Sequence, residues 1–229
     1  MDYSNLMIKF NKQHQVIKNK YERRFFQYIN SEDKAYWMGF LLADGYLCLG
    51  INSSVVNLTL ALKDIGHLKK FIKSIGGDEK QLRIIDNKGN LSVQCLLTSK
   101  EMVLDMLYHG FPLENKSFTA KPLNFSDNLI HHFWRGVFDG DGTACLMSSG
   151  CLRIALVGTF DICNGFSKFM GYDGNKIYKS GKVWRFIKDI TKAKMANELY
   201  MKLYENSNLF LERKEENWRN FIRKGERVV

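Results

Sequence analysis

The chain carries its own sequence twice. Displaced by 97 positions, Gly39 falls on Gly136, Asp44 on Asp141, Gly45 on Gly142 and Cys48 on Cys145. The same displacement brings Leu49 to Leu146, Asp64 to Asp161, Ile65 to Ile162 and Gly77 to Gly174, so one register holds from residue 39 to residue 77 without a gap. Farther on it slips to 96, where Leu107 and Tyr108 meet Leu203 and Tyr204. A unit of this length is no solenoid repeat, and two duplicated domains are the simpler account. The only two prolines, Pro112 and Pro122, lie in HGFPLENKSFTAKPLNFSDN, which reads as a linker. The expected organisation is a basic extension (1–30), a first domain (31–110), a linker (111–125), a second domain (126–204) and a C-terminal segment (205–229).

Each domain reads as helix, hairpin, helix, hairpin, helix. SEDKAYWMGFLLAD offers Ser31 as N-cap with acids in the first turn. YLCLGI and VVNLTLAL follow as strands around a turn at Asn52 and Ser53, and KDIGHLKKFIKSIGG is a helix stopped by glycines. A second hairpin turns at Asn87, Lys88 and Gly89, and its counterpart at Ser180 and Gly181. Hairpins separated by helices imply antiparallel sheets covered on one face, an α+β architecture.

The two best-matched segments are WMGFLLADG (37–45) and WRGVFDGDG (134–142). The first is apolar around its whole circumference, so it must be buried on every side. Gly39 and Ala43, like Gly136 and Gly140, stand four apart and present small residues on one helix face, which lets two backbones approach. Each segment then delivers an aspartate, and close apposition would set Asp44 and Asp141 side by side as buried carboxylates at the centre of the molecule. At about 4 Å such a pair repels by roughly 4 kcal/mol at an effective dielectric of 20. A shared proton or cations must offset that, and hard divalent ions, Mg2+ above all, suit oxygen ligands and phosphate together. Taken singly, an Asp-Gly merely ends a helix; its duplication on small-xxx-small helices favours chemistry.

Charge points the same way. The formal net charge is +10, which favours a polyanionic partner, nucleic acid before an anionic membrane. Cys48, Cys95, Cys145, Cys151 and Cys163 are five in number and never spaced as CxxC, against a disulfide framework or structural zinc. No signal-peptide core stands at the N-terminus, and the most apolar stretch is interrupted by Asp44. A soluble intracellular protein is expected.

Both segments resemble the LAGLIDADG motif, and motif, hairpins and helices together cover residues 31 to 214. FFQYINSEDKAYWMGF, HHFWRGVFDGDG and LYENSNLFLERK are also similar to the corresponding text of single-chain LAGLIDADG homing endonucleases. The resemblance implies a monomeric, pseudo-dimeric αββαββα fold whose motif helices form the domain interface and whose two four-stranded sheets make a saddle over double-stranded DNA. It implies Mg2+-dependent cleavage of both strands across the minor groove with 3′ overhangs, Ca2+ occupying the site without supporting cutting. The metal-binding acids fall on Asp44 and Asp141, and the preceding carbonyls, of Ala43 and Gly140, are further ligands. The family's basic residue near the scissile phosphate falls on Lys116 and on Lys214, with Arg213 as a substitute for the latter. At the sixth motif position the second copy has Asp139 and the first Leu42, which makes Asp139 structural, on the helix surface. An intron RNA maturase of the same fold is the competing function, with intron RNA as partner.

Base reading is expected from alternate strand residues on the helix-free faces. The candidates are Asn52, Ser54, Asn57, Arg83, Asn87, Lys88, Ser92 and Gln94 in the first domain. In the second they are Ser148, Arg153, Lys176, Tyr178, Lys179, Lys182 and Arg185. Strand register decides which of them face DNA and which face elsewhere. The basic N-terminus is expected to be an arm ordering on DNA or a helix packed on the first domain. EENWRNFIRKGERVV reads as a helix docked through Trp218, Phe221 and Ile222.

Overall fold

The computed structural model describes residues 20–51 and 53–226, which group into two compact units. The first comprises Asp44–Tyr108 with the segment ending at Tyr28; the second comprises Ile29–Ala43 and the chain from His109 onward. Asn52 and the first nineteen residues lie outside the described residues, so neither the Asn52 assignment nor that of the basic arm is placed.

In the first unit, β1 (Gly45–Leu49), β2 (Ser54–Ala61), β3 (Leu82–Asn87) and β4 (Asn90–Thr98) form an antiparallel sheet in the order β1-β2-β4-β3. Helices α2 (Ile65–Ser74) and α3 (Lys100–Tyr108) pack on one face of it. Val56, Leu58, Val93, Cys95 and Leu97 of the strands are buried with Leu68 and Phe71 of α2 and with Met102, Val103 and Met106 of α3. Fully burying side chains of this size contributes about 1.5–3 kcal/mol each. The β3–β4 turn is Lys88-Gly89, both at positive φ (54° and 85°), the tight two-residue hairpin geometry that a glycine makes inexpensive. The start of the described chain is tied down by Tyr21, whose hydroxyl donates to Thr98 O at 2.9 Å, and by an Arg24–Asp105 ion pair at 2.6 Å.

The second unit holds helix α1 (Glu32–Asp44) up to Ala43, the four-residue α4 (Lys116–Thr119) and α5 (Asp127–Asp141). Its sheet, of β5 (Gly142–Leu146), β6 (Leu152–Gly158), β7 (Tyr178–Ser180) and β8 (Val183–Ile190), has the order β5-β6-β8-β7. Helices α6 (Phe160–Phe169), α7 (Ala193–Tyr204) and α8 (Glu212–Glu226) complete it. Phe166 lies at its core, stacked on Phe138 at 5.6 Å and edge-on to Phe186 at 5.5 Å. Trp218 is fully buried, with Phe221 and Ile222 beside it on α8, as the apolar stripe requires. No helix among the described residues is long and apolar enough to cross a membrane.

The two sheets are topological copies, but their register is not gapless. Gly45 pairs with Leu58 and Gly142 with Leu156, so the second strand is displaced by 98 rather than 97. The loop between them spans residues 50–53 in one copy and 147–151 in the other. The helix that follows ends on Gly76 in the first unit and Gly171 in the second, both at positive φ, a displacement of 95. The Gly77–Gly174 match is therefore a coincidence of sequence and not a structural equivalence. Loops absorbed the insertions because no packed side chain depends on their length. The later hairpin of the second unit turns at Gly181-Lys182, one residue beyond the expected place.

Candidate functional site

The two motif helices meet inside the second unit, backbone to backbone. A Cβ on Gly39 would lie 2.1 Å from Phe133 O, and one on Gly136 would lie 2.1 Å from Tyr36 O. Ala35 to Leu42 of α1 are all buried, consistent with a helix apolar all round. Such an approach is open only to residues without a side chain, which is why the glycines recur at this place in both copies.

Asp44 and Asp141 are the last residues of their helices, and each is followed at once by the first strand of its sheet. Both are exposed, contrary to the expectation of buried carboxylates. The helices are buried from Ala35 to Leu42 and from His132 to Asp139, so the acids emerge where the packing stops. An exposed acid is the form that can meet a solvated cation and a phosphate.

Neither helix has a basic residue in its own last turn. The positive charge that its C-terminal carbonyls favour comes from elsewhere in the chain. Lys116 Nζ donates to Ala43 O at 2.5 Å and to Leu41 O at 3.3 Å. Lys214 Nζ donates to Asp139 O at 2.5 Å, Gly140 O at 2.9 Å and Phe138 O at 3.1 Å. Ala43 and Gly140 correspond in the repeat, and so do Leu41 and Phe138, so the two lysines perform the same act in the two copies. They differ in setting: Lys214 is 6 % exposed, and Lys116 is half-buried. Arg213 is exposed.

Asp141 lines a pocket of about 150 Å³ together with Ala43, Lys116, Thr159, Val157 and Val183. Cys163 lies close to the carboxylate: burial first, and the charge of Asp141 in addition, push its thiol up to about 11, which keeps it neutral. Val157 and Val183 belong to the face of the second sheet that carries Arg153 and Arg185, since strand residues two apart share a face. The pocket therefore brings acid and lysine together with residues of the helix-free sheet face.

Strand register sorts the candidate base readers. In the first sheet Arg83, Gln94 and Thr59 form one cross-strand row, with Asn57, Ser92 and Asn87 on the same face. Lys88 is exposed at the hairpin tip. Ser54 is not on that face: it is 4 % exposed, and its hydroxyl donates to Gly50 O at 3.4 Å. In the second sheet Tyr178 pairs with Arg185, and Lys176 Nζ stands 5.2 Å from the Tyr178 ring. Lys182 and Ser148 are exposed in the turns. Lys179 belongs to the opposite face, paired with Trp184 and with its ammonium 5.8 Å from the indole.

Among the residues on the exposed faces that were not singled out from sequence are Tyr46, Thr59 and Asp189. Tyr46 and Thr59 alternate correctly with buried neighbours, a signal that a fixed register would have revealed. Asp189, an acid on an otherwise basic face, gave none; it holds Arg153 in a two-point ion pair, with Nε and Nη2 each at 2.6 Å from a carboxylate oxygen.

Asp139 is structural, as expected, but it is not on the helix surface. It is 1 % exposed and accepts hydrogen bonds from the Tyr36 hydroxyl, the Tyr204 hydroxyl and the Leu211 N–H.

No protein-family model and no curated protein matches the chain by sequence. Solved structures do. The I-LtrWI LAGLIDADG homing endonuclease bound to target DNA aligns with a TM-score of 0.59 at 12 % identity, over 86 % of this chain and 90 % of that one. The I-AabMI LAGLIDADG meganuclease bound to uncleaved DNA aligns with a TM-score of 0.54 at 11 % identity, over 84 % and 90 %. The I-GzeII LAGLIDADG homing endonuclease in complex with its DNA target gives 0.54 at 11 %, over 85 % and 90 %. The chain has the α+β fold of these proteins, with two pseudo-symmetric sets of four antiparallel strands.

Proposed function

We propose that this chain is a single-chain LAGLIDADG homing endonuclease that cuts both strands of a specific double-stranded DNA site by divalent-metal-dependent hydrolysis. One observation above all supports the reading: Asp141 lines a pocket with Lys116 and Ala43 and with Val157 and Val183 of the helix-free sheet face. The DNA-bound structural neighbours and the charge of +10 favour the same partner.

The donor set fits a hard cation. Asp44 and Asp141 present exposed carboxylates, and the carbonyls of Ala43 and Gly140, which already accept from lysine, retain a second lone pair. Asp44 with the Ala43 carbonyl at the end of α1, and Asp141 with the Gly140 carbonyl at the end of α5, are the residues that would hold Mg2+. When bound, the metal lowers the pKa of a water and offsets charge on the phosphate oxygens. The chain's own residues do the remainder. Lys116 and Lys214 place ammonium charge next to the motif-helix ends, where it opposes the charge that builds on the phosphate as water attacks. The sheet faces grip the duplex, through Asn57, Arg83, Ser92 and Gln94 in one unit and Arg153, Tyr178 and Arg185 in the other. In this reading the cut crosses the minor groove and leaves 3′ overhangs.

A cleavage selection against a randomised duplex library, run in Mg2+ and in Ca2+, tests the proposal. Cutting in Mg2+ with binding alone in Ca2+ is expected, and Asp44→Asn or Asp141→Asn should abolish cutting while leaving Ca2+-supported binding. Asparagine variants that still cut in Mg2+ would remove the assignment.

A further inference from the structure

Asp139 is a buried carboxylate that the cutting reaction, as set out above, does not use. Its Oδ2 accepts from the Leu211 N–H at 2.7 Å and the Tyr36 hydroxyl at 2.8 Å, and its Oδ1 from the Tyr204 hydroxyl at 3.2 Å. Leu211 is the residue on which α8 starts: its carbonyl accepts from the N–H groups of Lys214 and Glu215 at 3.0 and 3.3 Å. Three residues on, the Lys214 ammonium returns to the backbone carbonyl of Asp139. One residue thus grips the start of α8 by its side chain and the lysine of its first turn by its main chain.

A second device holds the strand of chain that leads there. Arg135, 0 % exposed, donates Nε to Leu209 O at 2.8 Å, Nη1 to Leu203 O at 2.9 Å and Nη2 to Glu32 Oε1 at 2.7 Å. Glu32 also accepts from the N–H groups of Asn208 and Leu209 at 2.8 and 2.9 Å. Buried charges of this kind add little stability over a well-packed apolar core, because desolvation consumes the gain. What this set does is fix where residues 203 to 214 run. Lys116 has a different setting: it sits in a four-residue helix after Asn115, which is in the left-handed region (φ 51°), and position six of its motif is Leu42, which has no hydrogen-bonding group.

We propose that Asp139, with the Arg135–Glu32 clamp, is a positioning residue that pre-sets Lys214 at the end of the second motif helix, making the two halves of the reaction unequal so that one strand is cut before the other. This inference rests on the endonuclease reading.

Its test follows each strand of a doubly end-labelled duplex, carrying the site recovered by cleavage selection, in Mg2+. The unmodified protein should accumulate a nick in one strand. Asp139→Asn, which keeps the shape but puts a donating NH2 where one accepting oxygen stood, should slow one strand by about tenfold or more, the scale expected of a slightly misplaced group. The other strand should stay within about twofold of the original. Glu32→Gln, which loosens the same segment from its other side, should slow the same strand and carries the test if Asp139→Asn does not fold. Acetylation by acetic anhydride, read by mass spectrometry without DNA or metal, should reach Lys214 faster in either folded variant than in the original protein. If the original protein cuts neither strand, the endonuclease reading fails. If it cuts, but folded variants slow both strands equally or leave Lys214 as protected as before, the positioning role is overturned.

Discussion

Gly39 and Gly136 stand in such close apposition that a single added carbon on either would overlap a carbonyl oxygen of the opposite helix, at 2.1 Å in both cases. The obstruction is backbone, which cannot rotate away as a side chain can. Gly136→Ala should therefore cost at least the upper part of the usual overpacking range, about 3 kcal/mol, although alanine is the better helix former. Urea unfolding of the variant is the measurement, and a loss under about 1 kcal/mol would mean that the helices separate at little expense.

The lysines at the helix ends should separate by stability. Lys214→Met takes the ammonium from Asp139 O and Gly140 O at a buried helix end, while Phe138 O keeps the Gly142 N–H, and an unsatisfied buried group costs about 1–3 kcal/mol. Lys116→Met removes two such bonds at a half-buried place and should cost less. Thermal unfolding of the two variants side by side should rank Lys214→Met as the less stable; the reverse order would contradict the buried setting of Lys214.

These helix ends show where sequence suffices and where it does not. Gly39, Gly136, Asp44 and Asp141 were legible because the duplication printed each of them twice and because close packing and helix termination have sharp residue requirements. The two lysines were reached through resemblance; nothing local says that a lysine in ENKSF or LERKEE will return to a helix more than seventy residues away. Asp139 was read as structural yet misplaced on the surface, because the hydroxyls and the N–H that make its burial tolerable come from three separate segments. Ser54 and Lys179 went to the wrong face for a different reason: with a period of two, an error of one residue in register exchanges the faces.

Phosphate contact has a signature of its own. Each Lys or Arg that neutralises a phosphate releases a counterion, so log K falls with log salt at a slope of about −0.9 per contact. Lys176 is exposed just before β7 and Lys182 in the hairpin turn that follows it, where a positive charge can follow the backbone without reading a base. The double change Lys176→Ala with Lys182→Ala should reduce the slope by roughly two and weaken all sequences alike. Fluorescence anisotropy in Ca2+ over a salt series would check this, and an unchanged slope would place both lysines away from the duplex.

His132 makes the acid limb of stability predictable. Burial first, then the positive charges of Arg135 and His131, hold its imidazole down to about 3; Glu32 Oε1, 4.0 Å from its Nδ1, does not offset them. A group with a depressed folded pKa contributes stability that is fully present above its unfolded value, near 6.5, and is lost as pH falls toward the folded one. In that window the unfolded chain takes up a proton that the folded chain refuses, at about 1.4 kcal/mol per pH unit. Asp139 runs the other way, since burial raises its pKa and its contribution is greatest at low pH. The two effects have opposite sign, so the unfolding free energy of the protein alone does not isolate either. The difference between the protein and His132→Gln does, because Asp139 is common to both. That difference should be constant above about pH 7 and should turn increasingly against the native histidine between pH 6 and 4. A difference independent of pH across that range would mean that His132 is as easily protonated folded as unfolded.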